Sequence, residues 1–213
     1  MSGIKVTVLD YKIGNLLNVV RALEVCGAQV SVIDNAKDIS PDCDRMVLPG
    51  VGAFGKGMEE LKRRGFDDAV RQFALKDRPF LGVCVGMQVL FESGEEMGHH
   101  QGLGIIKGRV CAIPKLSTEG HALRIPHIGW RSLLVPEERV NTLLQKLAPE
   151  DKVYFVHSYA GEVADKQDQI GYVEYGGHRL CAAVRRGYVY GCQFHPERSA
   201  ESGLNVLRQF LTL

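Results

Sequence analysis

Apolar and amphipathic stretches alternate along the first half of the chain. Four short segments predict strands: Ile4–Leu9, Gln29–Ile33, Arg45–Leu48 and Phe80–Val83. The apolar run Phe80–Val83 is predicted to be buried, and the run Ile4–Leu9 suits a parallel sheet that is covered on both faces. Between these runs, apolar residues recur every three or four positions and predict helices: Leu16–Cys26, Met58–Arg64 and Phe66–Leu75. A further helix is predicted to start within Met87–Phe91. This alternation predicts an α/β fold with a doubly wound, mostly parallel sheet flanked by helices, and functional groups at the carboxyl ends of the strands.

The pattern changes after Glu96 into short segments that are rich in β-formers and punctuated by glycine and proline. They predict additional short strands that complete the sheet: 102–108, 110–113, 125–134, 153–160, 170–175, 180–185 and 189–194. Two helices are predicted in this half, a short one over Val140–Leu147 and a closing amphipathic one over Ser202–Leu211. Because the sequence contains no internal repeat or linker, we expect a single domain over residues 1–213.

The candidate nucleophile is Cys84, at the centre of a Gly-x-Cys-x-Gly motif where a predicted strand turns into a predicted helix. Gly82 and Gly86 lack a Cβ, so the two elements can pass close together. So sharp a turn holds its central residue in strained dihedrals. The thiol then projects beside a helix N-terminus, which favours the thiolate and binds anions. A small buried cysteine in an ordinary strand–helix turn is the alternative that the motif leaves open.

A candidate base and its orienting acceptor follow the last predicted strand, in the sequence Gln-Phe-His195-Pro-Glu197. Both side chains would emerge at the same edge of the sheet as Cys84. Histidine can take the thiol proton and return it to a leaving amine, and a carboxylate on its other nitrogen fixes the tautomer. Taken alone, His195 also fits a loop cap and Glu197 a solvated acid, but their combination with Cys84 favours a triad.

The third candidate element is the loop Pro-Gly-Val51-Gly52, which follows the strand predicted at 45–48. N–H groups flanked by glycines at a strand end can line an oxyanion hole. The Val51 N–H would be one donor, and the N–H of Val85, directly after the nucleophile, would be the other. A flexible turn without a catalytic role also explains this loop.

Composition narrows the functional classes. The chain has 213 residues, a formal net charge of +1 and no basic run, so nothing indicates nucleic-acid binding. No apolar segment approaches the ~20 residues of a membrane span, and the first residues lack a signal-peptide layout. Six scattered cysteines without a CxxC motif indicate reduced thiols and a cytoplasmic location. No metal-ligand spacing is present, and we expect neither a metal nor a cofactor.

Two motifs together, Gly-Val-Cys-Val-Gly-Met-Gln at 82–88 and Gln-Phe-His-Pro-Glu-Arg-Ser at 193–199, resemble those of the class-I (triad) glutamine amidotransferases. Three further stretches narrow the resemblance to the glutaminase subunit of imidazole glycerol phosphate synthase in histidine biosynthesis: Leu48–Phe54, Pro126–Trp130 and Tyr154–Tyr159. The match runs from Asp10 to the last predicted helix. Plain core packing is the alternative for the aromatic residues Trp130 and Tyr154.

The resemblance implies a glutaminase. Cys84 attacks the glutamine carboxamide, His195 moves the proton, ammonia leaves, and water hydrolyses the glutamyl thioester to glutamate. It also implies which residues bind glutamine: Gly52, Gln88, Glu96, His157, Ser158 and Tyr159. Gln88 lies about one helical turn after Cys84, so both can face one pocket. Glu96 can pair with an α-ammonium group, although it also fits a further acid in a polar stretch.

By the same resemblance, ammonia passes to a partner cyclase, a (βα)8 barrel, within a heterodimer. The residues that match partner-facing positions of the family are Asn15, Asn18, Tyr154 and Arg198. Arg198 adjoins Glu197, so the predicted interface lies next to the triad. Helix capping is the alternative role for Asn15 and Asn18.

Two residues depart from the family pattern. Lys12 stands where the family usually has the first glycine of Asp-Tyr-Gly-x-Gly-Asn, and Arg131 stands where it usually has asparagine after Gly-Trp. Both lie in segments on the predicted partner side, so a paralogous subunit that supplies ammonia for amidation of a surface-polysaccharide sugar is the alternative function. A non-catalytic binding protein and a peptidase on this fold fit less well, because the triad is complete and Gln88 and Glu96 suit free glutamine.

Overall fold

The computed structural model describes residues 3–136 and 142–213, and its elements surround a seven-stranded sheet. The helices are α1 (Leu16–Val25), α2 (Phe54–Arg63), α3 (Phe66–Ala74), α4 (Val85–Gln88) and α5 (Ala200–Thr212). The strands are β1 (Ile4–Leu9), β2 (Ala28–Ile33), β3 (Met46–Gly50), β4 (Phe80–Cys84), β5 (Phe91–Gly94), β6 (His100–Gln101), β7 (Ile106–Ala112), β8 (His127–Ser132), β9 (Lys152–His157), β10 (Tyr159–Val163), β11 (Gln169–Tyr175), β12 (His178–Arg186) and β13 (Val189–Cys192).

The strand order across the main sheet is β11-β12-β13-β4-β3-β1-β2. The five strands from β13 to β2 are parallel, and β12 and β11 add to one edge in antiparallel fashion. β3 and β4 are buried along their whole length, as unbroken apolar runs in a covered sheet should be. The predicted fold class is confirmed. Because β3, β4 and β13 are parallel neighbours, the residues that follow them meet at one edge.

The clearest departure from prediction follows Cys84. The predicted helix is wrong beyond Gln88, because α4 has a single turn and Phe91–Gly94 forms the strand β5. β5 pairs with β7, with Phe91 opposite Ile106 and Gly94 opposite Val110. A pairing partner further along the chain, which local periodicity does not show, therefore decides the structure of this segment.

The later short strands also do not all complete the main sheet, as was predicted. Only β11, β12 and β13 do so, whereas β10, β7, β5 and β6 form a separate four-stranded sheet and β8 pairs with β9 in a two-stranded ribbon. The closing helix is found and is slightly longer than predicted. Of the short helix predicted over Val140–Leu147, residues 140 and 141 lie outside the described residues, and 142–147 form turns.

Within residues 3–136 and 142–213, no helix is both long and apolar enough to cross a membrane. In the same ranges, no three histidine, cysteine, aspartate or glutamate side chains are grouped so that they could hold a metal ion.

Candidate active site

Cys84 lies at a strained turn between β4 and α4. Its φ of 55° and ψ of −112° are unusual for a residue with a side chain, and its side chain is almost fully buried. The flanking glycines are sterically required. A Cβ on Gly86 would lie 1.8 Å from the carbonyl oxygen of Leu48, and one on Gly82 would lie 2.4 Å from that of Gly86. The sequence therefore forms a sharp strand–helix elbow, a geometry that can present a nucleophile at the end of a strand.

His195 and Glu197 follow β13, the parallel neighbour of β4, and thus reach the same edge of the sheet. His195 Nδ1 lies 2.9 Å from Glu197 Oε1, and the two side chains are only 4% and 1% exposed. An ionised carboxylate can only accept, so Nδ1 donates to it and Nε2 is the nitrogen left for the thiol. Nε2 is buried and has no hydrogen-bond partner among the described residues.

The charge state of His195 is set by these neighbours. Burial lowers the pKa of the imidazole, but Cys84 and Glu197 outweigh that effect and raise the pKa to about 10. His195 is therefore protonated at neutral pH, which is the state that pairs with a thiolate. A protonated imidazole at this position can donate a proton to a leaving group.

The predicted oxyanion loop lies beside the elbow. β3 ends at Gly50, which is opposite Cys84 in the β3–β4 register. Val51 follows and is 39% exposed, and Gly52 has a φ of 100°, a conformation that favours glycine. A Cβ on Gly50 would lie 2.1 Å from the hydroxyl oxygen of Tyr11, so this position also requires glycine.

A cleft of about 240 Å³ brings the predicted site residues together. It is lined by Val51, Gly52, Cys84, Val85, Gln88, Glu96, His157, Ser158, Tyr159 and His195, and in addition by Pro126 and Val156, which the sequence did not single out as ligand-binding. All of the predicted catalytic, oxyanion and substrate residues except Glu197 thus line one cavity, and Glu197 contacts it through His195.

Two cleft residues already have partners inside the protein. A carboxylate oxygen of Glu96 accepts a hydrogen bond from the Phe54 N–H at 2.8 Å. The side-chain nitrogen of Gln88 donates to the Tyr159 carbonyl at 3.1 Å and to Gln193 Oε1 at 2.9 Å. Gln88 therefore offers a ligand its amide oxygen, an acceptor, and Glu96 offers a carboxylate oxygen. Both suit a cationic ammonium group.

Two buried polar residues beside Cys84 were missed by sequence reasoning. Gln193 is fully buried, and its side-chain nitrogen lies 3.6 Å from Cys84 Sγ. The Tyr11 hydroxyl is buried next to Gly50 without a hydrogen-bond partner among the described residues. A glutamine directly after an apolar strand was a visible sign of a polar role, but its partners come from distant segments.

The predicted partner-facing residues lie on exposed or half-exposed surfaces. Asn15 precedes α1 and makes no side-chain capping hydrogen bond, and Asn18 is exposed in the first turn of that helix. Arg198 places its guanidinium 4.6 Å from the ring centre of Tyr154. The ring of Tyr154 in turn meets Trp130 edge-on, with centroids 5.9 Å apart. Tyr154 therefore contacts both Trp130 and the Arg198 guanidinium at the surface.

A buried histidine pair underlies the cleft. His127 Nδ1 lies 3.0 Å from His157 Nε2, and His157 Nδ1 lies 2.9 Å from the Tyr159 carbonyl oxygen. Burial, with a smaller contribution from the charge of Arg131, lowers the pKa of His127 to about 4. Burial is also the main cause that lowers the pKa of His157 to about 4. Both rings are therefore neutral at pH 7.

This pair predicts acid sensitivity of the fold. Unfolded histidines titrate near pH 6.5, so the unfolded state gains protons first as the pH falls. His127 and His157 should therefore each lower the free energy of unfolding by about 1.4 kcal/mol per pH unit between about pH 6.5 and pH 4. We expect His127→Phe to reduce the slope of unfolding free energy against pH in that window, measured by urea denaturation. His121→Phe, at a 79% exposed side chain, is the control and should keep the wild-type slope. Equal slopes for wild type and His127→Phe would contradict the prediction.

Comparison with known proteins gives consistent matches. The family model described as glutamine amidotransferase class-I matches residues 7–213. The chain is 40% identical to imidazole glycerol phosphate synthase subunit HisH 1 of Legionella pneumophila (strain Lens), over 98% of this chain and 99% of that protein. It is 41% identical to subunit HisH of Sulfurimonas denitrificans, over 96% of each chain.

Solved structures agree in fold at lower sequence identity. PurLQS from Thermotoga maritima contains a chain with a TM-score of 0.75 and 19% identity, which covers 99% of this chain and 98% of that one. A crystal structure of a glutamine amidotransferase has a TM-score of 0.73 and 18% identity, over 99% of this chain and all of that one. These two likenesses bear on the fold alone.

Proposed function

Because the chain belongs to the class-I glutamine amidotransferases, and among them to the HisH subunits of imidazole glycerol phosphate synthase, we propose that Cys84, His195 and Glu197 are its catalytic triad. The chain is a glutaminase subunit of histidine biosynthesis that works with a partner subunit. The main support for the proposed triad is geometric. The strained Cys84 elbow shares one cleft with His195, whose imidazole is buried and hydrogen-bonded to the carboxylate of Glu197.

The reaction follows from this geometry. The Cys84 thiolate attacks the carboxamide carbon of glutamine, and the charge that develops on its oxygen is stabilised by the N–H groups of Val51 and Val85. Protonated His195 gives its proton to the departing nitrogen, and ammonia leaves as the thioester forms. His195 then takes a proton from water, which hydrolyses the thioester to glutamate and restores the thiolate. Glu197 holds the imidazole in the required orientation throughout.

Substrate selection rests on acceptors at the far end of the cleft. Glu96 and the amide oxygen of Gln88 accept from the α-ammonium group of glutamine. Glu96 is held in place by its bond from the Phe54 N–H, and Gln88 by its two donated bonds. A peptide substrate has no free α-ammonium beside the carboxamide that reacts, so this end of the cleft favours free glutamine over a peptidase substrate.

The partner is a (βα)8-barrel cyclase that docks on the outer face of the ribbon formed by β8 and β9. The inner face of the ribbon is buried in the core through His127, Phe155 and Val153. The outer face exposes apolar side chains, with Ile128 53% and Trp130 44% exposed. Exposed apolar and aromatic residues next to a cation favour a protein interface.

This outer face is continuous with the reaction site. Val156 of the ribbon and the following Ser158 line the active-site cleft. Arg198, stacked on Tyr154, directly follows Glu197 in the sequence. A barrel seated here would receive ammonia from the cleft without release into water, where ammonia is protonated and loses its nucleophilicity.

A second cleft, of about 260 Å³, extends the proposed interface behind the triad. It is lined in part by Asn18, Arg21 and Glu197. One carboxylate oxygen of Glu197 is buried and has no hydrogen-bond partner among the described residues. A donor from the partner that enters this cleft would satisfy that oxygen, which supports Asn18 as a partner-facing residue.

The two departures from the family pattern have local explanations. Lys12 has a φ of 64°, which explains why the family usually has glycine there, and its ammonium group pairs with Asp10 at 2.7 Å and Asp34 at 3.5 Å. Arg131 donates to the Trp130 carbonyl at 2.9 Å. Both side chains thus have partners within the protein, and neither residue indicates a sugar-amidating partner.

Trp130→Ala should weaken binding of the cyclase about 30-fold, because truncation of an interface tryptophan typically costs 2 kcal/mol or more. Isothermal titration calorimetry of the two purified subunits measures the change. Tyr188→Ala is the matched control, because Tyr188 is similarly exposed, at 42%, but lies in the β12–β13 turn. Its carbonyl accepts a hydrogen bond from the N–H of Phe80 at the start of β4, so this turn is at the opposite end of the sheet from the cleft. Weaker binding by Tyr188→Ala with no effect of Trp130→Ala would place the partner elsewhere.

Reconstitution tests the function as a whole. The chain is mixed with the barrel cyclase from the same organism, and synthesis by the cyclase is followed with glutamine or with ammonium salt as nitrogen source. Glutamine should support synthesis only when the chain is present, and ammonium should support it with or without the chain. Absence of glutamine-dependent synthesis, with intact ammonium-dependent synthesis, would reject this partner.

A further inference from the structure

A buried chain of hydrogen bonds ends on the sulfur of Cys84. Gln193 Nε2 lies 3.6 Å from Cys84 Sγ, while Gln193 Oε1 accepts from Gln88 Nε2 at 2.9 Å. Gln88 Nε2 also donates to the Tyr159 carbonyl at 3.1 Å. Gln193 and Gln88 are 0% and 4% exposed, so water does not compete for these groups.

The Tyr159 carbonyl fixes which group donates and which accepts in each of these hydrogen bonds. A carbonyl oxygen can only accept, so the side chain of Gln88 must present its nitrogen to Tyr159. The same nitrogen meets Gln193, which must then present its oxygen. The remaining group of Gln193, its NH2, therefore faces the sulfur. The sulfur is an acceptor in this contact, and a thiolate accepts far more strongly than a thiol.

The Tyr159 carbonyl that fixes this direction is itself held from a second side. His157 donates from Nδ1 to this carbonyl at 2.9 Å, so its Nε2 accepts, and His127 donates from Nδ1 to that nitrogen at 3.0 Å. Both histidines are neutral at pH 7 because burial lowers the pKa of each to about 4. The donor directions therefore persist over the neutral pH range.

We infer that Gln193 is a further catalytic residue of the glutaminase reaction, in which its side-chain N–H donates to the Cys84 sulfur and stabilises the thiolate, with Gln88 as its positioning residue. The inference rests on the proposed triad. Gln193 Nε2 lies within hydrogen-bonding distance of the sulfur, and His195 acts on the same sulfur as the proposed base. The contact acts on the thiolate when it attacks and again when the sulfur departs from the thioester.

Other groups around the sulfur act on the same ionisation and do not replace Gln193. Tyr11 and Cys192 lie close enough for the charge of Cys84 to raise the pKa of each, with burial as the larger cause. His195 favours the thiolate by its positive charge, and Glu197 acts through His195. The Tyr11 hydroxyl makes no hydrogen bond to the sulfur among the described residues, whereas the side chain of Gln193 does.

The test is alkylation of Cys84 in the isolated chain, by iodoacetamide, as a function of pH. Peptide mass mapping reports Cys84 separately from the other five cysteines. Gln193→Met keeps the side-chain length but removes the N–H, so the pH midpoint of alkylation should rise by about one unit. Gln193→Leu removes both polar groups of the side chain, so its midpoint should rise as well.

Gln209→Met is the matched control. Gln209 is 8% exposed in α5 and donates to Gln145 at 3.3 Å, away from the cleft, so its midpoint should equal that of wild type. With the partner present, Gln193→Met should lower kcat/KM for glutamine about tenfold at pH 7 and by less at pH 9. Circular dichroism of each variant checks that the fold is retained.

The outcomes separate this inference from the proposed function. An unchanged alkylation midpoint in folded Gln193→Met and Gln193→Leu overturns the role of Gln193, even if wild type hydrolyses glutamine. A shifted midpoint in a chain that does not hydrolyse glutamine with its partner would support the contact to sulfur and reject the proposed function.

Discussion

Cys84→Ala is expected to lower kcat for glutamine hydrolysis by roughly four orders of magnitude or more, because the members of a triad act as a unit. Cys84→Ser should lose as much, since a hydroxyl at this site is far less ionised than a thiol. The fold should persist, because Cys84 is held by the elbow backbone and its glycines rather than by its side chain. Steady-state release of glutamate with the partner present measures the loss.

The other two triad residues should follow in a fixed order. His195→Ala removes the group that moves the proton and should cost nearly as much as Cys84→Ala. Glu197→Gln removes the 2.9 Å carboxylate acceptor but keeps an oxygen near Nδ1, so its loss should be smaller. A larger loss for Glu197→Gln than for His195→Ala, at saturating glutamine, would contradict these assignments.

Two controls make the cysteine assignment specific. Cys181→Ala removes another buried cysteine, whose thiol pKa is raised by burial to about 12, and should leave kcat unchanged. A glutamine analogue with an electrophile in place of the amide should label Cys84, as found by peptide mass mapping. Label on another cysteine, or glutaminase activity within tenfold of wild type in Cys84→Ala, would reject Cys84 as the nucleophile. Ammonium-dependent synthesis should survive in every triad variant.

The sequence predicted those parts of the site that are local in the chain. The elbow needs only Gly82, Cys84 and Gly86 in one short motif, and His195 and Glu197 are two residues apart. The parallel strands that carry them are unbroken apolar runs, so their burial and the edge where they end could also be predicted. Local pattern was sufficient wherever the contacts of a residue lie nearby in sequence.

The parts that could not be predicted depend on distant segments. β5 looked like helix because its pairing partner β7 lies further along the chain. Gln193 contacts Gln88 and Cys84, which precede it by 105 and 109 residues. The hydroxyl of Tyr11 is packed against Gly50, at the end of β3. No periodicity indicates such contacts, so the sequence offered a candidate nucleophile but not the groups that surround it.

The isolated chain should be a poor glutaminase that its partner activates. An oxyanion hole needs two aimed N–H donors, and removal of one costs about 3–4 kcal/mol. The Val85 N–H is fixed at the start of α4 by the elbow. The Val51 N–H belongs to an exposed loop between Gly50 and Gly52, and glycine on both sides allows its peptide to rotate between two orientations.

The structure connects this loop to the proposed interface. A Cβ on Gly14 would lie 3.7 Å from the Pro49 carbonyl oxygen, and one on Gly52 would lie 3.8 Å from the side chain of Ile13. Ile13 and Gly14 directly precede the proposed partner-facing Asn15. A partner that contacts Asn15 would therefore press on the loop that carries the Val51 N–H. A few kcal/mol of differential contact shifts such a two-state equilibrium almost fully.

We therefore expect kcat for glutamine to rise at least a hundredfold when the partner and its ligand are both present, with a smaller change in KM. The reason is that a loop orientation that aims the Val51 N–H at the oxyanion stabilises the transition state more than it strengthens substrate binding. The ligand of the partner should add to the effect if it tightens the interface, since coupling between sites is reciprocal. Glutamate release is measured for the chain alone, with partner, and with partner plus ligand. Equal kcat under all three conditions would reject the gating of the loop and leave the triad assignment standing, because Cys84→Ala would still abolish the common activity.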